Sequence, residues 1–344
     1  MSKARGESSG PEALDELAAE AVSRARAGGA TAAEALVVET TRRTWSTASR
    51  PSVLAPERRL GVRVVLPDGR AGRAEGAVPR RGDKSAGLVR SALDRARSSE
   101  PDPLEGITRP TPPVRGGLSI VDPRLEALAD ADRREMLDVN TQGCSSVDKR
   151  VACTSARYEE RFVHRAYASS RGVALHEAGT FFGIEMVARM GERTVSEAFE
   201  SRHFADVASR PLGVDLARRL LARERPATLP DSPTHVAFAQ PVVAAIIGAL
   251  APAFDGAAID AGDSFLSGRA GQAVGSPKVH LVDDATLPRG LGTRAFDDRG
   301  VTPVPITVLR EGVAYAPYLD PRQVGSSRVD LQACKLEYSI VSPK

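Results

Sequence analysis

Cysteine is scarce in this chain of 344 residues, with only three present. Cys144, Cys153 and Cys334 are an odd number, and their spacings fit neither a disulfide framework nor a CxxC pair, so reduced thiols are expected. Long apolar runs are also missing. The longest, 242–254, is broken by Pro252 and falls short of the roughly 20 residues needed to span a bilayer. No membrane helix is expected. Residues 1–10 are small and polar with no apolar stretch behind their basic groups, so the expectation is a cytoplasmic protein without a secretory signal. Charge of one sign is lacking too. The 47 basic residues face 44 acidic ones and leave a net charge of +3, with arginines interspersed among acids rather than gathered into a stripe, so a nucleic-acid partner is not expected. Lysine supplies only 6 of the bases and arginine 41, a bias that reads as nucleotide composition rather than a binding surface.

What is present supports a folded α+β protein. An apolar content of 42% can fill more than one core at this length. Residues 11–27 place Leu14, Leu17, Ala18, Ala21, Val22 and Ala25 on one helical face, closed by Gly28 and Gly29. From Ala35 the pattern turns strand-like, and a strand at 61–66 runs into the turn at 67–70. A second helix is expected over 85–96. Five prolines between 98 and 114 forbid helix and withhold backbone donors, so 101–118 reads as a linker between an N-terminal α+β domain (1–100) and a β-rich C-terminal domain (119–344). Within the second domain a helix is expected at 123–139, strands over 150–188 with a turn at 169–172, and an arginine-rich solvated helix at 212–223. Further expectations are a short strand at 234–239, an apolar helix at 242–251, and strands near 279–282, 306–309 and 336–341. No internal repeat is present.

Several residue groups invite a chemical reading. His176 and Glu177 resemble the start of a zinc-protease motif, but Thr180 and Phe181 stand where a second histidine is needed. The surrounding pattern is also that of a strand, on which neighbouring side chains face opposite ways. His164, His203, His235 and His280 are isolated. The glycine-rich stretch after Gly262 has no GKS or GKT ending, and no GxSxG is present. Asp283–Asp284 and Asp297–Asp298 precede turns, where aspartate commonly caps its own backbone, with Arg294 as a counter-ion candidate.

The segments GDSFLSGRAGQAVGSP (262–277) and VHLVDDATLPRGLGTRAFDDRGV (279–301) closely resemble the signature stretch of the TldD/PmbA family. Weaker features agree in order: Leu60-Gly-Val-Arg-Val before Gly69-Arg-Ala-Gly, Asp102-Pro, and Ser169-Ser-Arg-Gly-Val, with the likeness fading after Leu319. The resemblance implies a large, mainly antiparallel curved sheet with few helices. In the TldD type a His-Glu-x-x-x-His motif precedes the signature, its histidines holding a metal while the glutamate acts on bound water. Alignment places those positions on Gly248, Ala249 and Ala253, none of which can bind metal or move a proton. The resemblance therefore implies a TldE-like (PmbA-like) subunit with no catalytic residue and no cofactor of its own. Zinc or a similar metal is expected on a TldD-like partner, and the pair is expected to act on unfolded or modified peptides. Ser264, Arg269, Gln272 and Arg294 are candidates for lining a peptide groove or facing the partner. The C-terminal sheet is expected to be shorter than the family's, with Cys334 outside its motifs. Two other readings stay open: a self-associating peptide-binding scaffold, and a free-standing peptidase with a rebuilt site.

Overall fold

The computed structural model describes residues 11–48, 51–79, 85–101, 106–107, 109–114, 116–224, 236–314 and 337–339. Asp102, His235 and Cys334 lie outside the described residues. The first helix, α1 (Pro11–Ala27), leads into β1 (Ala32–Ser46), the two-residue β2 (Ser52–Val53), β3 (Glu57–Val65), β4 (Ala71–Ala77) and α2 (Ala86–Ser98). Then come α3 (Asp130–Val147), β5 (Ala152–Ser169), β6 (Ala174–Met190), β7 (Arg193–Ser201), α4 (Phe204–Ala208) and α5 (Leu212–Ala222). The last part holds α6 (Gln240–Leu250), a 3-10 turn (Ala251–Phe254), α7 (Gly256–Ala261), β8 (His280–Asp283), β9 (Ile306–Arg310), β10 (Val313–Ala314) and β11 (Glu337–Ser339).

One large antiparallel sheet runs β4-β3-β1-β5-β6-β7, with β2 on β1. The proline-rich stretch separates its strands in sequence but not in space, because β1 pairs with β5 from Glu34↔Ser169 to Ser46↔Arg157. Both expected domains thus contribute strands to a single sheet. A second, smaller sheet runs β10-β9-β8-β11.

Strand alternation decides which face each residue serves. Ala35, Val37 and Trp45 of β1 and Ala156, Tyr158, Ala166 and Ala168 of β5 share one face, and helices cover it. At one end α1 and α2 bury Leu14, Leu17, Leu93 and Ala96 against β1, β3 and β4. At the other, α3, α4 and α5 bury Met136, Phe204, Leu216 and Leu220 against Phe182, Ile184 and Met186 of β6. The helix α5 was expected to be solvated, yet Leu212, Leu216 and Leu220 recur every fourth residue and are fully buried, so its arginines form only the outer face. The helix expected at 123–139 starts later, at Asp130. Pro123 lies in a turn capped by Asp122, and the Asp132 carboxylate accepts the Ala129 N–H at 2.8 Å to begin the helix. Residues 236–239 are not a strand, and β7 follows a turn at Gly191 that the sequence pattern did not signal.

Helix α2 can lie close on β4 only because residue 72 is glycine. A Cβ there would stand 2.1 Å from the Ala92 carbonyl oxygen and 2.4 Å from the Ala96 nitrogen, both backbone atoms that cannot swing aside. Gly61, on the neighbouring strand, has nothing within 4 Å of its Cβ position. Gly72→Ala is therefore expected to lower unfolding free energy by about 1–3 kcal/mol, as overpacking does, while Gly61→Ala changes it little. Urea denaturation of the two variants side by side checks the contrast.

Candidate functional site

The face of the large sheet opposite the helices is covered by the segment 284–302, the second half of the signature. Three charged residues from the sheet hold it there. Arg165 of β5 donates to the Phe296 carbonyl at 2.8 Å and pairs with Asp298. Glu177 of β6, directly across from Arg165, accepts the Ala295 N–H. Arg202, just past β7, donates to the carbonyls of Gly290, Leu291 and Thr293 at 3.1, 2.9 and 2.8 Å, and its guanidinium lies 3.8 Å from the Phe181 ring centre. Burial pulls the Arg202 guanidinium down to about 10, so it remains a cation at neutral pH.

The signature's Asp-Asp-Arg-Gly fits this arrangement residue by residue. Asp297 accepts the N–H groups of Arg299 and Val301, both at 2.8 Å, which makes it the turn cap expected from the sequence. Arg294 lies 3.5 Å from Asp298, as anticipated for its counter-ion. Gly300, at φ 72°, sits so close to Tyr167 that a Cβ would meet the ring at 2.4 Å. Tyr167 in turn donates to Glu34 at 2.8 Å, and Arg63 reaches the same carboxylate at 3.1 Å.

The remaining groove candidates lie apart from this cluster, in the loop after α7. Ser264 is nearly buried, donates to the Ala253 carbonyl at 2.6 Å and accepts from the Leu266 N–H at 3.0 Å. Arg269 and Gln272 are exposed on that loop, and the Gln272 side chain bonds back to the Gly268 carbonyl at 3.3 Å. Ser264 therefore shapes the loop, whereas Arg269 and Gln272 offer polar groups to the outside.

Gly248 and Ala249 stand in the last turn of α6, and Ala253 in the 3-10 turn after it. Among the described residues no group of three or more histidine, cysteine, aspartate or glutamate side chains is placed to hold a metal ion. Gly248, Ala249 and Ala253 themselves have no side chain that could ligate a metal. What α6 carries instead is apolar: Val242, Ile246 and Leu250 recur at four-residue intervals and are 45%, 44% and 39% exposed. Only Ile247 packs toward the small core of Phe254, Leu266, Leu281, Val308 and Ala314. No described helix is long and apolar enough to cross a membrane.

His176 and Glu177 occupy a strand, as expected, and face opposite ways. Glu177 meets the signature segment, while His176 lies 3.4 Å from His164 and 3.3 Å from Asp15 on the helix-covered side. Burial, reinforced by the charge of His176, holds the His164 imidazole below its ordinary range. A cleft of about 510 Å³ opens elsewhere, at the end of β1, between Trp45, Pro51, Arg134 and Asp138. Sequence reading missed Arg165 and Arg202, because single arginines separated by 88 to 131 residues from their carbonyl partners leave no local pattern.

Models of two PmbA/TldA metallopeptidase domains match this chain, the central domain over residues 123–224 and the C-terminal domain over 231–325. The Metalloprotease PmbA of Escherichia coli O157:H7 is 24% identical over 239 residues, 66% of this chain and 52% of that protein. The chain thus spans about half the length of this curated relative. Among solved structures, TldE from Thermococcus kodakarensis superposes with a TM-score of 0.73 at 17% identity, over 95% of this chain and 76% of that one. A candidate modulator of DNA gyrase from Bacteroides thetaiotaomicron gives 0.71 at 19% identity, over 90% and 72%. These likenesses establish a shared fold, the curled antiparallel half-barrel sheet with its helical cover.

Two measurements test the electrostatics of this face and its opposite. Arg202→Ala strands the Leu291 and Thr293 carbonyls and is expected to cost about 2–4 kcal/mol and to expose 287–294 to limited proteolysis. Arg202→Lys recovers less than half, since an ammonium cannot span the fork. For His164, the unfolded chain takes up its proton at higher pH than the folded one. Its contribution is complete above the ordinary histidine range and is lost as pH falls through roughly 6.5 and below. Thermal melts across that range are expected to show a loss of stability that His164→Gln reduces.

Proposed function

Because the chain belongs to the PmbA/TldD metallopeptidase family, we propose that it serves as a TldE-like, non-catalytic subunit that completes the peptide cleft of a metal-bearing TldD-type chain. The observation that carries this reading is the outward stripe of α6. Where the catalytic type of the family sets its metal ligands, this chain has Gly248, Ala249 and Ala253, and the same helix turns Val242, Ile246 and Leu250 to the outside. An 11-residue helix has little stability in water by itself, and contiguous exposed apolar groups are characteristic of association surfaces. In this proposal the partner supplies zinc or a similar metal and the water that attacks the peptide bond. This chain supplies a wall, with Arg269 and Gln272 near enough to α6 in sequence and on a loop open enough to meet an extended peptide or the partner itself. The substrate would be an unfolded or modified peptide.

A wall can dispense with metal ligands as long as its interface and its rigidity remain. Rigidity is supported by the arginine fastening of 284–302 to the sheet, which ties the signature to the largest element of the fold.

The test is reconstitution. The chain is purified alone, with a TldD-type protein from the same source, and that protein is also purified alone; peptide cleavage and bound metal are measured for each. The expected result is a stable complex, cleavage by the pair, and stoichiometric metal on the TldD-type chain. Cleavage by this chain alone, or tight metal on it, would overturn the proposal. The double variant Ile246→Asp, Leu250→Asp is expected to weaken association by at least about tenfold, since charges are driven into an apolar contact, without altering the melt of the isolated chain. If the wild-type chain instead forms a dimer by sedimentation and the double variant abolishes it, the stripe serves self-association.

A further inference from the structure

Cys144 and Cys153 were read from the sequence as unrelated thiols. In the fold they meet. Cys144 lies on the last part of α3, fully buried in the core cluster of Tyr158, Phe182 and Leu216, and Cys153 packs against that cluster from β5. A turn at 148–151, closed by the Val151 N–H on the Asp148 carbonyl, folds the helix back over the strand that follows.

A β-bulge makes the meeting possible. Cys153 pairs with Ala188, but the next pair is Ser155 with Val187, so Thr154 is an extra residue in β5. Simple alternation from Ala156 and Tyr158, which face the helices, would turn an odd-numbered neighbour to the other side. The extra residue resets the phase and places Cys153 opposite Ala188, which is itself buried under the helices. There the Cys144 and Cys153 thiols are neighbours that interact across the α3–β5 contact. Thr141, one turn earlier on α3, has a buried hydroxyl without a hydrogen-bond partner among the described residues. Protonated Cys153 can give its own hydrogen to the Ser155 carbonyl at 3.4 Å. A neighbouring thiol able to donate to the Cys153 sulfur favours its thiolate, and Cys153 is accordingly held below the ordinary thiol range while Cys144 is pushed up. Cys153 is partly exposed and Cys144 is sealed in, and neither is in a disulfide.

We propose that Cys144 and Cys153 form a redox-active dithiol, in which Cys153 is the sulfur that reacts with a hydroperoxide and Cys144 resolves the product into an intramolecular disulfide. The Cys153 thiolate attacks the nearer peroxide oxygen, and the O–O bond breaks to release the remaining oxygen as hydroxide, which takes up a proton as water. The sulfenic acid so formed is attacked by the Cys144 sulfur. The S–O bond breaks, and hydroxide leaves as water with the proton that Cys144 gives up. Two thiols and one hydrogen peroxide thus yield one disulfide and two waters, with two electrons passing from sulfur to peroxide. The bond would fasten α3 to the start of β5 over the core of Phe182 and Leu216. It rests on no assumption about the partner or the peptide.

The full chain, freshly reduced, is treated with hydrogen peroxide and mapped by mass spectrometry without reductant. The expected product is a Cys144–Cys153 linked peptide pair lighter by two hydrogens, reversed by dithiothreitol. In Cys144→Ser the reaction is expected to stop at a dimedone-reactive Cys153; in Cys153→Ser, Cys144 is expected to stay reduced. Iodoacetamide should label Cys153 in Cys144→Ala about tenfold more slowly than in the wild type at neutral pH. A wild-type Cys153 that is oxidised while Cys144 remains a thiol, a linkage to Cys334 instead, or unchanged labelling in Cys144→Ala would each overturn the proposal.

Discussion

The pairing of β1 with β5 is the constraint on which the remaining structure rests. Antiparallel strands without a short hairpin between them must be held by their side chains, since the chain connecting them gives no register. Here Ala35 and Val37 meet Ala168 and Ala166 under α1, and Trp45 meets Tyr158 under α3, so the same face is apolar at both ends of the ladder. A slip by one residue would turn Glu34 into the helical core and Ala35 onto Tyr167. The two cores therefore select one register, and that register in turn decides that Arg165, Tyr167 and Glu34 face the signature segment.

Arginine has more work in this fold than its distribution along the chain implies. Arg58 and Glu39 form a pair whose side chains are both 1% exposed, and Arg133 reaches Glu160 at 2.6 Å with both nearly buried. Glu160 also accepts from Tyr158 at 2.9 Å, so the carboxylate is shared rather than left half-satisfied. Arg165 and Arg202 hold carbonyls that no strand partner takes. A planar cation with five donors can meet several acceptors at once, whereas lysine cannot. The bias toward arginine, read from composition as a trace of nucleotide content, supplies the side chain these buried sites need. Each such pair is a poor source of net stability but a strong penalty on misplacement.

The readability of the sequence follows from the range of the forces involved. Helix α1, strands β5 and β6 and their turn at Gly172 are set by apolar period and local backbone needs, and those are written in consecutive residues. The turn caps at Asp284 and Asp297 are equally local. By contrast, α3 begins seven residues past Pro123 because Asp122 and Thr180 meet across the fold, with Thr180 donating to the Arg202 carbonyl and accepting the Asp122 N–H. The single sheet spanning both expected domains rests on pairs more than 110 residues apart. Of the candidate site residues, Arg294 was expected as a counter-ion to the aspartate pairs and stands beside Asp298, whereas Ser264 required the fold to reveal that its hydroxyl is used on Ala253.

Buried metal ligands and an exposed apolar helix are two solutions to one problem, since a short helix at the edge of a small core needs something to fix it. In a metal-bearing chain the ion can do so, because coordination holds the ligand-bearing turn to neighbouring elements. Here α6 has Ile247 against a core of only five buried side chains, and Pro252 follows directly after its last turn. That leaves Val242, Ile246 and Leu250 as the largest unclaimed source of stabilisation on the helix. In the proposed subunit role, contact with another chain would remove that surface from water and fix the helix in one step, so the absence of ligands and association would answer the same physical need.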